Sequence, residues 1–267
     1  MAWGYLSSKY MLTTTHYAID AEKVSSFIRI VQLTDLHNSI FGKDNSRLVN
    51  KVAKEEPDII VITGDLLNED EENTQIATSL ISKLSDIAPT YVSFGNHETN
   101  YEERNNTGIR KLYTDSGATV LEYNWLDIEV KGQKIRLGGL YGYCLPEKYL
   151  KTGEARENEC VFLSSFQNTN DTAILLCHMP VCWLINDSLD EWDIDIIFSG
   201  HVHGGQIRLP FIGGIWAPDM GRFPGKLCGI YKSKDGMKSL VLSRGLGNRE
   251  KIPRMWNIPE IVVVDLE

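Results

Sequence analysis

The sequence has no cysteine pair motif, no long apolar run and no excess of positive charge. Its 267 residues include five cysteines but no C-x-x-C pair. That argues against a disulfide framework or a cysteine zinc site and predicts reduced, mostly buried thiols. No stretch approaches the roughly 18 apolar residues of a membrane span. The net charge of −9 argues against a broad basic face for nucleic acid, so these absences favour a soluble globular protein.

The chain also lacks internal repeats, low-complexity tracts and a Pro/Ser-rich linker. Hydrophobic and charged residues make up 42% and 24% of it, as in ordinary globular domains. One domain is therefore the simplest organisation. We place it over residues 27–267, after a lead-in segment of residues 1–26.

Five short apolar runs are each followed at once by polar loop residues. The runs cover residues 27–33, 59–63, 91–94, 173–177 and 194–199. Continuous apolar runs of this length predict strands that are covered on both faces. Amphipathic helical patterns separate the first three, which indicates an α/β architecture with a parallel sheet. Hairpins at 128–140 and 230–242 and a strand at 261–265 predict either a mixed sheet beside the first or a two-sheet sandwich.

Side chains with metal-ligand chemistry lie where these apolar runs end. They are Asp35, His37, Asp65, Asn96, His97, His178, His201 and His203. Five of the six histidines belong to this group, and only His16 lies elsewhere. Ligands of open α/β sheets bind beyond the carboxyl ends of strands, so we expect these side chains to meet at one site.

The spacing within the group predicts a pair of metal ions. In extended backbone, residues i and i+2 face the same side, so Asp35 and His37 can face one site together. The same holds for His201 and His203, which can supply one ligand to each of two ions. Imidazole and carboxylate suit Zn, Mn or Fe(II). Two ions about 3.5–4 Å apart can share a carboxylate, for which Asp65 is the natural candidate.

Each of these residues alone has a plainer explanation. A single histidine such as His178 at a strand end is more often a core residue with satisfied hydrogen bonds. A lone aspartate such as Asp65 is more often a turn residue or a helix cap, and Asn96 alone is an ordinary turn residue. Their occurrence together, in order along the chain, favours the metal site. A zincin H-E-x-x-H motif is excluded because Tyr101 occupies the position of the second histidine.

Five sequence blocks resemble the signature of the calcineurin-like metallophosphoesterases. They are DLH, GD, GNHE, a strand ending in CH, and SGHVHGG, and they span residues 35–205. The C-terminal segments resemble the small single-domain bacterial branch that includes YkuE-type phosphodiesterases. The resemblance implies an α/β fold, a four-layer α-β-β-α sandwich of two mixed β-sheets flanked by helices. It also implies a cofactor of two divalent transition metal ions, Mn, Fe or Zn, with Mn favoured.

The resemblance further implies a role for each residue at the strand ends. One ion would be held by Asp35, His37 and His203, the other by Asn96, His178 and His201, with Asp65 bridging them. His97 would be no ligand; it would protonate the leaving group as general acid while a metal-activated hydroxide attacks a phosphoester. The alternative role for His97 is to orient a ligand without donating a proton.

The implied substrate is a phosphoester, and a diester is favoured over a monoester. No Lys or Arg lies within two residues of any proposed ligand, whereas the extra charge of a monoester usually calls for nearby cations. Phe211, Trp216 and Phe223 either form an apolar wall for a lipid or nucleoside group or merely pack against the sheet. The competing functions are a phosphomonoesterase and a non-catalytic metal-binding scaffold. The cations that would weaken the diester preference by reaching the site are Arg208, Arg222 and Arg244.

Two features bear on location in opposite directions. Five cysteines without an evident pairing favour the cytoplasm. Relatives in the resembling branch often carry an N-terminal membrane anchor, of which residues 1–11 would be the remaining stub. The sequence therefore leaves open a cytoplasmic protein or a membrane-associated exterior domain, and it makes no prediction of oligomeric state.

Overall fold

The computed structural model describes residues 2–105, 108–247 and 253–267. Its strands are β1 Thr13–Ile19, β2 Ile28–Leu33, β3 Ile59–Thr63, β4 Thr90–Ser93, β5 Thr119–Val120, β6 Asn124–Val130, β7 Gln133–Leu140, β8 Thr172–Cys177, β9 Ile196–Ser199, β10 Arg208–Leu209, β11 Gly213–Gly214, β12 Trp216–Ala217, β13 Gly221–Arg222, β14 Gly229–Lys232, β15 Ser239–Leu242 and β16 Glu260–Leu266. Its helices are α1 Ala2–Tyr10, α2 Ser46–Lys54, α3 Gln75–Ser85, α4 Asn96–Asn105, α5 Ile109–Asp115, α6 Glu157–Phe166, α7 Val181–Ile185 and α8 Ser188–Glu191. Short 3₁₀ turns cover Lys43–Asn45, Glu147–Thr152 and His203–Gly205.

Two six-stranded mixed sheets form the centre of the fold. The first has the order β1-β16-β2-β3-β4-β5, in which β16 and β2 pair antiparallel and the other neighbours pair parallel. The second has the order β14-β15-β9-β8-β7-β6, with antiparallel pairs at its two edges and parallel pairs between them. The five apolar runs form β2, β3, β4, β8 and β9, each within two residues of the predicted bounds.

The sheets pack face to face, and helices cover their outer faces. Alternate residues of β2 divide between two layers, as the period of a strand requires: Ile28 and Ile30 face the second sheet, whereas Val31 and Leu33 face the helices. Helices α2, α3 and α5 cover the first sheet, and α6 and α7 cover the second. The predicted four-layer α-β-β-α sandwich is therefore confirmed.

Residues 1–26, expected to lead into the domain, include helix α1 and strand β1. The strand pairs in parallel with β16 along its whole length. The helix is held beside the C-terminal segment, because the Trp256 N–H donates to the Gly4 carbonyl at 3.0 Å and the Asn257 N–H donates to Ser8 Oγ at 2.9 Å. Strand β1 is only partly buried, so it has no continuous apolar run by which the sequence would reveal it.

The state of the cysteines and the lengths of the helices can be compared with the sequence. All five cysteines are free thiols, and four of them are buried. The longest helix within the described ranges, α3, has 11 residues, about half the length needed to span a bilayer. No helix in this part of the chain is long and apolar enough to cross a membrane.

Candidate metal centre

The predicted site residues meet where the carboxyl ends of the parallel strands lie. The loops after β2, β3 and β4 in the first sheet and after β8 and β9 in the second converge there. Parallel strands present their carboxyl ends at one edge of a sheet, which is where α/β proteins bind ligands. A buried amide joins the two sheets at this edge, because Gln32 Nε2 donates to the Ser199 carbonyl at 2.9 Å and to Thr63 Oγ1 at 3.0 Å.

Asp35, His37 and His203 form one group of candidate ligands. All three are buried, and one ligand atom from each lies within 4.8 Å of the others. Asp35 Oδ1 is 4.0 Å from His37 Nε2 and 3.7 Å from His203 Nε2. Hydrogen bonds fix the Asp35 carboxylate, which accepts from Thr34 Oγ1 at 2.9 Å and from the His201 N–H at 3.1 Å. The carboxylate is thus held in place before any cation binds.

Asp65, His178 and His201 form a second group with the same mutual spacing. His178 Nε2 lies 3.2 Å from both Asp65 Oδ2 and His201 Nδ1. On the other side of its ring, His178 Nδ1 donates to the Thr63 carbonyl at 2.7 Å. Asp65 Oδ2 is also 3.7 Å from His37 Nε2, so this carboxylate adjoins both groups, as a bridging ligand must.

Three atoms of predicted ligands are among the buried atoms that have no hydrogen-bond partner in the described residues. They are His37 Nε2, His203 Nδ1 and Asn96 Oδ1. Leaving a buried polar atom unpaired costs about 1–3 kcal/mol, and a bound cation would remove that cost. Burial lowers the pKa of His37 to about 3 and holds the pKa of His203 well below its usual range. Both rings are therefore neutral and keep a lone pair for a cation.

The pKa values of Asp35, Asp65 and His178 are shifted by burial and by their mutual contacts. Burial raises the pKa of Asp35. Burial would also raise the pKa of Asp65, but the His178 ring outweighs it and holds that pKa well below its usual range. Burial opposes the charged form of His178, yet Asp65 and Asp35 raise its pKa to about 10. An imidazole must be neutral to bind a metal, so a cation binding here displaces a proton from His178. Imidazole, carboxylate and amide oxygen together fit Mn, Fe or Zn.

Five of the seven predicted ligands have left-handed backbone. The φ angle is 52° at Asp35, 47° at His37, 55° at Asp65, 69° at His201 and 47° at His203. The expectation that extended backbone turns residues i and i+2 towards one site is therefore wrong, although the residues do converge. Such conformations cost non-glycine residues on the order of 1–3 kcal/mol each and cluster at functional sites. The fold holds these side chains in place against a local preference for other conformations.

Two glycines are required by the close approach of loops to the carboxylates. A Cβ atom at Gly200 would overlap the Thr34 hydroxyl and the Asp35 carboxylate. One at Gly95 would overlap the Asp65 carboxylate. The glycines that flank the predicted ligands therefore make room for the carboxylates.

His97 lies beside Asp65 with a defined ring polarity. The Glu69 N–H donates to His97 Nδ1 at 3.1 Å, which leaves the proton of a neutral ring on Nε2. Nε2 is 3.9 Å from Asp65 Oδ2. The ring stands edge-on to that of His37, with centroids 4.7 Å apart. His97 therefore presents an N–H towards the site.

Three predicted ligand histidines are oriented the other way from His97, with the protonated ring nitrogen pointing away from the site. His37 Nδ1 lies 3.1 Å from Asn68 Oδ1, and His201 Nε2 lies 2.8 Å from Asp219 Oδ2. Each oxygen accepts the ring proton, as the backbone carbonyl does for His178. The nitrogen on the inner side of each ring is then free of its proton whenever the ring is neutral.

Sequence reasoning missed Glu98, a fully buried carboxylate that joins the loops after β3 and β4 to helix α5. It accepts from the N–H groups of Asp65, Leu66 and Gly95 at 2.7–3.0 Å and from the Tyr113 hydroxyl at 3.0 Å. Burial raises its pKa. A signal was present in its position in the first turn of a helix, where acidic side chains are favoured. Glu98 thus fixes the backbone around Asp65.

Asp219, Asn257 and Arg254 were also missed. Asn257 Nδ2 donates to the His203 carbonyl at 2.6 Å, over a separation of 54 residues. Asp219 meets His201 over a separation of 18 residues. Arg254 is buried and its Nε donates to the Asn257 carbonyl at 3.1 Å. No local pattern marks Asp219 and Asn257, because their partners are brought to them only by the folded loops.

The three arginines that could reach the site differ in their contacts. Arg244 pairs with Glu260 at 2.6 Å. Arg208 Nη1 donates to the Gly204 carbonyl at 3.0 Å. Arg222 lines a cavity next to the site. Two of the three are therefore committed to other partners.

Comparison with known proteins assigns the chain to a family. A profile of the calcineurin-like phosphoesterases matches residues 28–205, which include every predicted ligand. The chain belongs to the calcineurin-like phosphoesterase family. Membership implies a metal-dependent hydrolase of phosphoric esters, and it confirms the resemblance seen in the sequence blocks.

Individual proteins are similar to this chain along most of its length. The chain is 27% identical to the uncharacterized metallophosphoesterase YkuE of Bacillus subtilis strain 168, covering 99% of this chain and 90% of that protein. It is 26% identical to the phosphodiesterase YaeI of Escherichia coli K12, covering 89% and 82%. The crystal structure of TT1561 of Thermus thermophilus has a TM-score of 0.50 and 13% identity, covering 82% and 90%. That last likeness supports the fold alone.

Proposed function

We propose that this protein hydrolyses a phosphodiester with two divalent transition metal ions, and that His97 protonates the leaving group. The observation that carries the proposal is the convergence of buried His/Asp groups that share Asp65 or adjoin it, one of which also includes His97. Within these groups His37 Nε2 has no hydrogen-bond partner among the described residues. The phosphodiesterase YaeI, at 26% identity, supports the reaction class.

The proposed ligands are the side chains at the strand ends. One ion would be held by Asp35, His37 and His203 and the other by Asn96, His178 and His201, with Asp65 available to both. Bound there, the ions would supply Lewis acidity that lowers the pKa of water and offsets charge on the phosphoryl group. Mn is the favoured metal, and Fe and Zn suit the same ligands.

The chain itself contributes a proton at His97 Nε2. A departing alkoxide needs a proton, and a positioned histidine supplies one efficiently near neutral pH. The Glu69 N–H occupies Nδ1 as donor, so the proton of the neutral ring is on the nitrogen that lies 3.9 Å from Asp65 Oδ2. This polarity distinguishes the acid from His37, His178 and His201, whose outer nitrogens carry the proton.

The charge around the site supports a diester over a monoester. A monoester carries a further negative charge, which favours cationic side chains near the metal ions. Arg244 is neutralised by Glu260, and Arg208 donates to a backbone carbonyl. Among the arginines considered from the sequence, Arg222 alone lines the adjoining cavity. The buried Arg254 is a further cation near Asp35 and His203, and its Nε and Nη1 donate to backbone carbonyls. Since Arg208, Arg244 and Arg254 are held by partners within the protein, a diester, with one negative charge, matches this environment better.

Hydrolysis of chromogenic esters tests the proposal. Metal-free protein should gain activity on bis(4-nitrophenyl) phosphate when Mn²⁺ is added and lose it with a chelator. Its kcat/KM for this diester should exceed that for 4-nitrophenyl phosphate. Asp65→Asn should abolish the activity, whereas His16→Gln, a histidine outside the site, should retain it.

Elemental analysis separates the competing functions. We expect two metal equivalents per chain. Two bound equivalents without turnover of either ester would indicate a scaffold. A tenfold preference for the monoester would indicate a phosphomonoesterase and leave the metal site unaffected. Less than one equivalent under saturating Mn²⁺, with no loss in Asp65→Asn, would refute the site itself.

A further inference from the structure

A cavity of about 550 Å³ lies beside the candidate metal centre. Its lining residues are Gly205, Gln206, Ile207, Ile215, Trp216, Arg222 and Phe223. We propose that this cavity binds an apolar group of the substrate, a hydrocarbon chain or ring carried on an ester oxygen. The proposal rests on the phosphodiester hydrolysis proposed above. The volume falls within the range of about 300–1,000 Å³ that small-molecule sites occupy.

The lining chemistry selects an apolar group. Ile207, Ile215, Trp216 and Phe223 present hydrocarbon, and Arg222 is the one charged residue among the lining residues described. A sugar or a nucleobase would require several placed donors and acceptors, whereas only Gln206, Trp216 and Arg222 among the lining side chains carry any. A hydrocarbon group needs none, and each methylene group that it buries favours binding about fourfold.

The cavity adjoins the proposed metal ligands through the backbone. Gly205 ends the 3₁₀ turn that begins at His203, and the Ile215 N–H donates to the Gly205 carbonyl at 3.2 Å. Asp219, in the turn between β12 and β13, contacts His201 Nε2 at 2.8 Å. The Gly205 turn and the β12–β13 hairpin, which both border the cavity, are therefore connected to residues of the candidate centre. A group on the phosphorus bound there can extend into the cavity.

The aromatic walls are not part of the packed core. Phe223 is 60% exposed and Trp216 is 38% exposed, so neither serves mainly to pack against a sheet. Phe223 also has a φ of 54°, which is unusual for a bulky residue. Backbone held in such a conformation clusters at ligand sites. These observations favour a wall for ligand over the packing role that the sequence left open.

Two diesters with the same leaving group test the subsite. They are methyl 4-nitrophenyl phosphate and octyl 4-nitrophenyl phosphate. With Mn²⁺-loaded protein, kcat/KM should be at least tenfold higher for the octyl ester. Trp216→Ala and Phe223→Ala should each lower this octyl-to-methyl ratio several-fold. Phe27→Ala, which removes an aromatic side chain 45% exposed just before β2, should leave the ratio unchanged.

Direct binding provides a measurement that does not depend on turnover. Octylphosphonate, phenylphosphonate and methylphosphonate have no ester bond to hydrolyse, and calorimetry gives their affinities for the metal-loaded protein. The octyl or the phenyl compound should bind at least tenfold more tightly than the methyl compound, and the better of the two identifies a chain or a ring as the preferred group. Trp216→Ala and Phe223→Ala should reduce the difference.

Each outcome distinguishes the subsite from the reaction. Equal affinity for all three phosphonates would overturn the subsite, whether or not the diesters are hydrolysed. An apolar preference that survives both alanine substitutions would also overturn it, because the apolar group would then bind elsewhere. A preference in binding without hydrolysis of either diester would support the subsite and overturn the proposed function.

Discussion

The contact between Asp219 and His201 predicts a change in metal affinity that can be measured without an activity assay. Asp219 Oδ2 lies 2.8 Å from His201 Nε2, on the side of the ring away from His178. A carboxylate in that position fixes the ring and makes the inner nitrogen a better ligand. Asp219→Asn keeps the shape and a hydrogen-bond acceptor but removes the negative charge. We therefore expect the ion bound by His201 to be held less tightly.

The size of the effect follows from the exposure of the carboxylate. Loss of such a partner typically costs about 10–100-fold in metal affinity. The Asp219 side chain is 49% exposed, so water screens its charge, and the lower end applies, about tenfold or about 1.4 kcal/mol. The hydrogen bond from His201 lowers the pKa of Asp219, so the carboxylate is ionised at neutral pH.

Calorimetric titration of metal-free protein with Mn²⁺ measures the effect. In Asp219→Asn, one of the two sites should weaken about tenfold and the other should keep its affinity. Asp193→Asn is the matched control, since its side chain is 73% exposed and its nearest recorded cation, Lys238, is 4.0 Å away. Wild-type affinity at both sites would refute the reasoning. Equal weakening of both sites with a lower melting temperature would show a structural role instead.

The remaining predictions concern the proposed acid, a buried carboxylate and the pH dependence of stability. His97→Gln should lower turnover by roughly 10²–10⁴-fold with little loss of metal, and the loss of turnover should be smaller for a nitrophenolate leaving group than for a poor one. The control His16→Gln should change neither turnover nor metal content. Loss of metal in His97→Gln would instead identify His97 as a ligand. Glu98→Gln should lower the free energy of unfolding, measured in urea, by about 2–4 kcal/mol. The reason is that the NH₂ group of the glutamine would face N–H donors, which now donate to the carboxylate. A decrease below about 0.5 kcal/mol would contradict this. Burial raises the pKa of Glu122 to about 7, so the folded protein keeps a proton that the unfolded chain releases. Its contribution to stability, on the order of 2 kcal/mol, is present below about pH 4.5 and is lost as pH rises to about 7. Glu122→Gln should remove this dependence, and an unchanged slope of stability against pH would disprove it.

The parts of the fold that could be predicted are those with a local signal. Strand β3, Ile59–Thr63, is buried on both faces, so its sequence is a continuous apolar run with clear ends. Strand β1 lies at a sheet edge and is partly exposed, so its sequence carries no such run. Its place is decided by pairing with β16, which depends on the rest of the fold.

In the candidate site, too, some features have a signal in the local sequence and others depend on contacts between distant segments. The chemistry of its residues and their order along the chain predicted that they would meet. Their backbone conformation was predicted wrongly, because contacts between loops set it and not the i, i+2 spacing. The φ of His37, at 47°, is an example. The contact of Asp219 with His201 likewise joins two loops, and no pattern within either loop indicates it.

The position of β16 has a consequence for the biosynthesis of this protein. Because β16 lies between β1 and β2, the facing edges of both strands stay unpaired until residues 260–266 have been translated. One contact across this seam, from Thr15 to Glu260, spans 245 residues, and such distant pairings form slowly. Unpaired strand edges in a nascent chain invite wrong partners. Every proposed metal ligand is translated before β16, so a cation can meet its ligands while the sheet is still incomplete.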